Sequence, residues 1–131
     1  MNTLKNTKIL VVDDDPDLRD VVVEELTFFG AEAVAAENGN HALELLLVQT
    51  FDAVLSDMRM PDGDGRFLAS KIALMTPPKP LVFIYSGYND LEDSELKQLE
   101  IRRSFGKPLK VRIIADEIRK ELDLEEKIGI K

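Results

Sequence analysis

The chain has 131 residues and a formal net charge of −8, enough for one well-filled core and too little for two. An apolar share of 44% argues against disorder, and the acidity argues against nucleic acid or anionic lipid as a partner. Cysteine is absent, which excludes a disulfide framework and a thiolate metal site. The first apolar run, Ile9 to Val12, is too short for a signal-peptide core or a membrane span, so a cytoplasmic location is expected.

Lys8-Ile9-Leu10-Val11-Val12 predicts a buried strand that stops at Asp13. Asp15 is placed to cap a helix whose first position is Pro16, where no amide hydrogen is needed. Leu18, Val21, Val22, Leu26 and Phe29 keep helical spacing until Gly30. Ala31 to Ala36 is a weaker second strand, Glu37 to Asn40 a turn, and His41 to Gln49 a second helix. Phe51 to Ser56 is a third strand ending at Asp57, followed by a loop rich in Pro, Asp and Gly and a helix from Arg66 to Met75. Pro77, Pro78 and Pro80 forbid regular structure and lead into the most apolar strand, Leu81 to Tyr85, closed by Ser86-Gly87. A charged helix from Leu91 to about Ile101, a short strand around Arg103 to Gly106 and a last helix from Val111 to about Leu124 complete the alternation. Glu125 to Lys131 reads as a short charged tail, giving one domain over residues 1–124 and a tail over 125–131.

Five strands alternating with five helices call for a three-layer α/β/α fold, a five-stranded parallel sheet covered on both faces. Ligands of such sheets bind beyond the carboxyl ends of the strands. Those ends are Asp13-Asp14-Asp15, Asp57, Ser86 and Lys107. Carboxylates roughly 5 Å apart repel by about 3 kcal/mol per pair at an effective dielectric near 20, so the cluster calls for a cation. A hard divalent ion with oxygen ligands, Mg²⁺ above all, suits it and leaves places for phosphate oxygens. A metal and a lysine neutralise charge on a transferring phosphoryl group, and one free carboxylate is a competent nucleophile. Asp57 fits the nucleophile because it stands alone at the end of a central strand, and Asp13 and Asp14 fit metal ligation.

The segments Ile9 to Pro16, Leu55 to Pro61, Tyr85-Ser86-Gly87 and Lys107-Pro108 resemble the receiver domain of two-component response regulators, in order and spacing, over roughly residues 7 to 124. The resemblance implies a flavodoxin-like sheet of order 2-1-3-4-5 and a phosphoryl group passed from a histidine kinase or phosphotransfer protein to Asp57. It implies a metal on Asp14, Asp57 and the backbone carbonyl of Arg59, with Asp13 acting through water. Ser86 matches the switch hydroxyl, Lys107 its partner, and the Lys107–Pro108 peptide is expected to be cis. The product would be a changed conformational population, read by a downstream protein at the face of the fourth helix, last strand and last helix. On this reading the chain is no metabolic enzyme; it catalyses only its own phosphorylation and dephosphorylation. It would be a stand-alone regulator, monomeric or dimerising on phosphorylation, with no contact to nucleic acid or membrane.

Some positions depart from the pattern or vary within it. The aromatic residue usual three places before the lysine is replaced by Ser104, and Phe105 follows one place later. Either a shifted register lets Phe105 take over or the aromatic switch is absent. Arg59 and Tyr88, two residues beyond Asp57 and Ser86, would overhang the nucleophile, and a bulky Tyr88 is expected to slow loss of the phosphoryl group by hindering in-line water.

Three alternatives stand beside this reading. The chain could be a receiver that docks without phosphorylation, against which the intact Asp13, Asp14, Ser86 and Lys107 argue. It could be a phosphatase similar to the haloacid dehalogenases with Asp13 as nucleophile, but the final acidic pair and the small hydroxyl residue (here Asp17) are missing. Asp13, Asp15, Asp17 and Glu24 also imitate a calcium loop, yet Leu18 stands where its sharp turn needs glycine. His41 is expected at the surface, without a role.

Overall fold

A computed structural model describes residues 2–87 and 91–128. The elements are β1 (Lys8–Val12), α1 (Pro16–Phe28), β2 (Glu32–Ala36), α2 (Gly39–Val48), β3 (Ala53–Asp57), α3 (Gly65–Ala73), β4 (Leu81–Ser86), α4 (Asp93–Gln98), β5 (Ile101–Gly106) and α5 (Val111–Lys127). The strands form one parallel sheet in the order β2-β1-β3-β4-β5, which is the expected flavodoxin-like arrangement.

Alternation along each strand divides the core into two layers. Ile9, Val11, Leu55, Phe83 and Tyr85 pack against α1 and α5, with Val22, Leu26, Ile114 and Ile118. Leu10, Val12, Val54, Val82 and Ile84 pack against the other face, with Ala42, Leu68 and Ile72. Every residue of β3 is buried, which explains its nearly unbroken apolar run.

Capping follows the side chains. The Asp15 carboxylate accepts from the amides of Asp17 and Leu18 at the start of α1. Helix α2 begins at Gly39, two residues before the expected start, because Asn38 accepts from the His41 amide and acts as its cap. His41 is accordingly half-buried, its Nδ1 accepting from the amide of Glu37.

The chain departs from expectation most around α4 and α5. Helix α4 has only six residues, because Glu100 adopts a left-handed φ of 56° and Ile101 already enters the sheet. Helix α5 runs to Lys127, beyond the expected Leu124, and Glu125 is buried in an ion pair with Arg102 instead of opening a solvated tail. The Lys107–Pro108 peptide is cis as the resemblance implied, and Pro77–Pro78 is cis as well.

Candidate functional site at the carboxyl ends of the strands

Strands β1 and β3 are neighbours in the sheet, so their carboxyl ends bring Asp13-Asp14 and Asp57 to the same edge. Carboxylate oxygens of Asp13, Asp14 and Asp57 all lie within 4.8 Å of one another, and among the described residues this is the group of acidic side chains able to hold a metal ion. Lys107 follows β5 and extends its ammonium to 3.4 Å from Asp57 Oδ2. Ser86 ends β4, buried, and its carbonyl accepts from the Lys107 amide at 3.0 Å. Asp13, Asp14, Asp57, Ser86 and Lys107 therefore share one end of the sheet.

The loop after β3 holds Asp57 in place. The Met58 amide donates to the Tyr85 carbonyl at 2.9 Å, and the Gly65 amide donates to the Met58 carbonyl at 2.9 Å. At Gly65 a Cβ would stand 2.9 Å from the Asp57 carbonyl oxygen, so only glycine lets α3 start this close beneath the site. Gly63 turns the loop with a φ of 106°. The backbone of Arg59 hydrogen-bonds the Asp57 carboxylate, while the Arg59 side chain is exposed.

Burial pushes the pKa of the Asp57 carboxyl up, and the negative charge of Asp13 adds to the rise; Lys107 and the Arg59 backbone oppose it. Three carboxylates offering hard oxygen donors within 4.8 Å of one another fit a small divalent cation such as Mg²⁺.

Asp13 is wholly buried and more elaborately held than its neighbours. Its Oδ1 accepts from the Asp15 amide at 2.9 Å, its Oδ2 from the Tyr85 hydroxyl at 2.5 Å, and its carbonyl from an Arg19 Nη at 2.8 Å. Burial, reinforced by Asp13, moves the Tyr85 hydroxyl pKa far above its ordinary value. The sequence reading missed Tyr85 and Arg19. The signal for Tyr85 was available, since a tyrosine inside a buried strand must find a partner for its hydroxyl. Asp14 stays exposed, and Asp15 serves α1 as its cap, as expected.

Phe105 does not replace the missing aromatic. It pairs with Tyr85 in the sheet register, while Gly106 lies opposite Ser86. Its ring stacks on Phe83 in the layer beside α1 and α5, and Ser104 occupies the opposite face, exposed. A bulge between Val82 and Phe83 sets this register, with Arg102 as the extra residue of β5. Tyr88 lies outside the described residues.

Comparison with known proteins places the arrangement. The family described as response regulator receiver domain matches residues 9–119. The sporulation initiation phosphotransferase F of Bacillus subtilis is 31% identical over 123 residues, which is 93% of this chain and 98% of that protein. Other curated relatives are longer, and the chain spans only 20% of one and 17% of another. The crystal structure of a CheY-like response regulator receiver domain protein from Methanospirillum hungatei superposes with a TM-score of 0.84 at 30% identity, covering 94% of this chain and 98% of that one. The response regulator TrrA of Thermotoga maritima, solved in complex with Mg²⁺-BeF, gives 0.76 at 28% identity, covering 88% of this chain and 98% of its own.

Proposed function

Since the chain belongs to the response regulator receiver domain family, we propose that it is a Mg²⁺-dependent phosphoacceptor of two-component signalling, with Asp57 as the modified residue. The observation that carries this reading is the Lys107 ammonium 3.4 Å from Asp57, beside two further carboxylates within 4.8 Å. An oxygen of Asp57 would form the new P–O bond as the P–N bond of a donor phosphohistidine breaks, its electron pair returning to the imidazole. Lys107 opposes the burial that raises the Asp57 pKa and would meet the charge of the incoming phosphoryl oxygens. Asp13, Asp14, Asp57 and the Arg59 carbonyl would hold the ion, which supplies charge neutralisation at the phosphoryl oxygens when bound.

Ser86, at the end of β4, is the hydroxyl that would move onto the phosphoryl group and carry the switch. The receiver unit would run through the end of α5 at Lys127, act in the cytoplasm and take its phosphoryl group from a sensor histidine kinase or phosphotransfer protein. Its downstream partner would be a protein that reads α4, β5 and α5, with the receiver a monomer or a phosphorylation-dependent dimer. Among the described residues no helix is long and apolar enough to cross a membrane. The phosphatase alternative asks Asp13 to be the nucleophile, yet both its oxygens already accept hydrogen bonds at a wholly buried position.

Incubation with acetyl phosphate, with and without Mg²⁺, followed by mapping of the acylphosphate, tests the proposal. Mg²⁺-dependent label on Asp57 is expected. No label would favour phosphorylation-independent docking, and turnover through Asp13 would favour the phosphatase.

A further inference from the structure

Nothing in the proposed chemistry requires a tyrosine before Ser86. Tyr85 closes an otherwise hydrocarbon run, Leu81-Val82-Phe83-Ile84, and is fully buried on the α1 and α5 side of the sheet. From β4 its hydroxyl reaches past β3 to Asp13 Oδ2 at 2.5 Å. The Lys107 ammonium lies 5.6 Å above its ring. One side chain thus touches an acidic member of the pocket and the pocket's lysine.

A hydrogen bond donated to a buried carboxylate delivers part of a positive charge to it. We propose that the Tyr85 hydroxyl is a built-in partial counter-charge for Asp13, a positioning residue that stabilises the pocket without its cation and thereby lowers the pocket's affinity for Mg²⁺. This rests on the reading of Asp13, Asp14 and Asp57 as a divalent-cation site.

The sign follows from linkage. A cation beside Asp13 draws on the same oxygen charge that the hydroxyl uses, so the hydrogen bond is stronger in the empty pocket than in the filled one. Whatever stabilises the empty state more weakens binding by the difference. The opposite outcome would require Tyr85 to be the group that orients Asp13. That orientation survives without it, because the Asp15 amide holds Oδ1 at 2.9 Å and Arg19 holds the Asp13 carbonyl at 2.8 Å.

Tyr85→Phe keeps the ring and removes the hydroxyl. Titration calorimetry should show Mg²⁺ binding roughly three- to tenfold tighter than in the wild type, the share of a charge-assisted hydrogen bond that the ion takes over. Thermal melting should show the variant less stable in EDTA, with the deficit shrinking in saturating Mg²⁺. Equal or weaker Mg²⁺ binding, or the same melting deficit with and without the ion, overturns the inference.

A second measurement does not depend on that variant folding. The chain has two tyrosines and no tryptophan, so Tyr88→Phe leaves Tyr85 as the sole near-ultraviolet reporter of its kind. Its absorbance should shift to the blue during a Mg²⁺ titration, with the midpoint seen by calorimetry; a flat titration overturns the inference. A wild-type protein with no Mg²⁺ response at all is a different result, and it sinks the cation-site reading together with this one.

Discussion

Phe105 stacks on Phe83 with ring centroids 6.4 Å apart and an interplanar angle of 20°, which fixes the only aromatic residue of β5 on the layer facing α1 and α5. Ser86 and the α4 side therefore have no aromatic partner from β5, since the facing positions are Ser104 and Gly106. Any coupling from the acidic pocket to α4 by way of β5 runs through backbone and smaller side chains.

Phe105→Ala should therefore separate stability from signalling. Losing a half-buried ring that stacks on a core phenylalanine should cost about 1–3 kcal/mol in urea unfolding. The response of α4 amide resonances to beryllofluoride should persist in the same direction and size. A variant that binds beryllofluoride but leaves α4 unmoved would restore Phe105 to the relay.

Arg102 is the inserted residue of the β5 bulge, and it turns towards α5. There it pairs with Glu121 at 3.2 Å and with Glu125, both buried acids. Glu121 retains Arg103 at 3.1 Å when Arg102 is removed, whereas Glu125 has no other ion pair among the described residues. Arg102→Met should cost about 2–4 kcal/mol in denaturant unfolding, the usual penalty for stranding one member of a largely buried pair. Adding Glu125→Met to it should recover part of that loss, because the stranded charge is then gone.

These two residues also mark where the sequence stopped being legible. The strand order came with the resemblance to receiver domains, whereas the parallel sheet covered on both faces and the gathering of Asp13, Asp14, Asp57, Ser86 and Lys107 follow from apolar runs of strand length and from where each run ends. Those are local signals read from one segment at a time. The bulge at Arg102 is decided by pairing with α5, a contact between β5 and a helix that follows it, and no local pattern announces it. For the same reason Glu125 and its neighbours read as a charged tail: the sequence shows three charges in a row, Glu125-Glu126-Lys127, and only the fold shows that one of them is buried. Tyr85 was hidden differently. Its ring satisfies the hydrophobic pattern of β4, and its hydroxyl matters only once β1 is two strands away across the sheet.

Lys107→Ala removes the ammonium that stands 3.4 Å from Asp57 Oδ2. Labelling of Asp57 by acetyl phosphate should slow by roughly a hundredfold or more, the usual loss when one fixed charge stabiliser is taken from a transfer site. Mg²⁺ binding should persist, since the three carboxylates remain. The rate of label incorporation, read by mass spectrometry at fixed donor and saturating Mg²⁺, checks this. A variant labelled at the wild-type rate would remove Lys107 from the chemistry.

Asp57→Asn tests the electrostatics of the cluster in the absence of any ion. Burial and Asp13 raise the folded pKa of Asp57 above its ordinary 3.8, so folding disfavours the ionised form. For a carboxyl shifted in this direction the unfolded chain releases its proton first. Stability is then highest below the unfolded value and falls as pH rises from there through the raised folded pKa. The asparagine variant cannot ionise and escapes that loss. In EDTA at neutral pH it should melt several degrees above the wild type, taking roughly 2–8 °C per kcal/mol for a domain of this size, and the gap should close on acidification below the ordinary carboxyl range. Saturating Mg²⁺ should raise the wild type and narrow the gap from the other side. If the two proteins melt together in EDTA at neutral pH, the repulsion assigned to Asp13 and Asp57 is not felt by the fold, and the case for a cation at their junction loses its driving force.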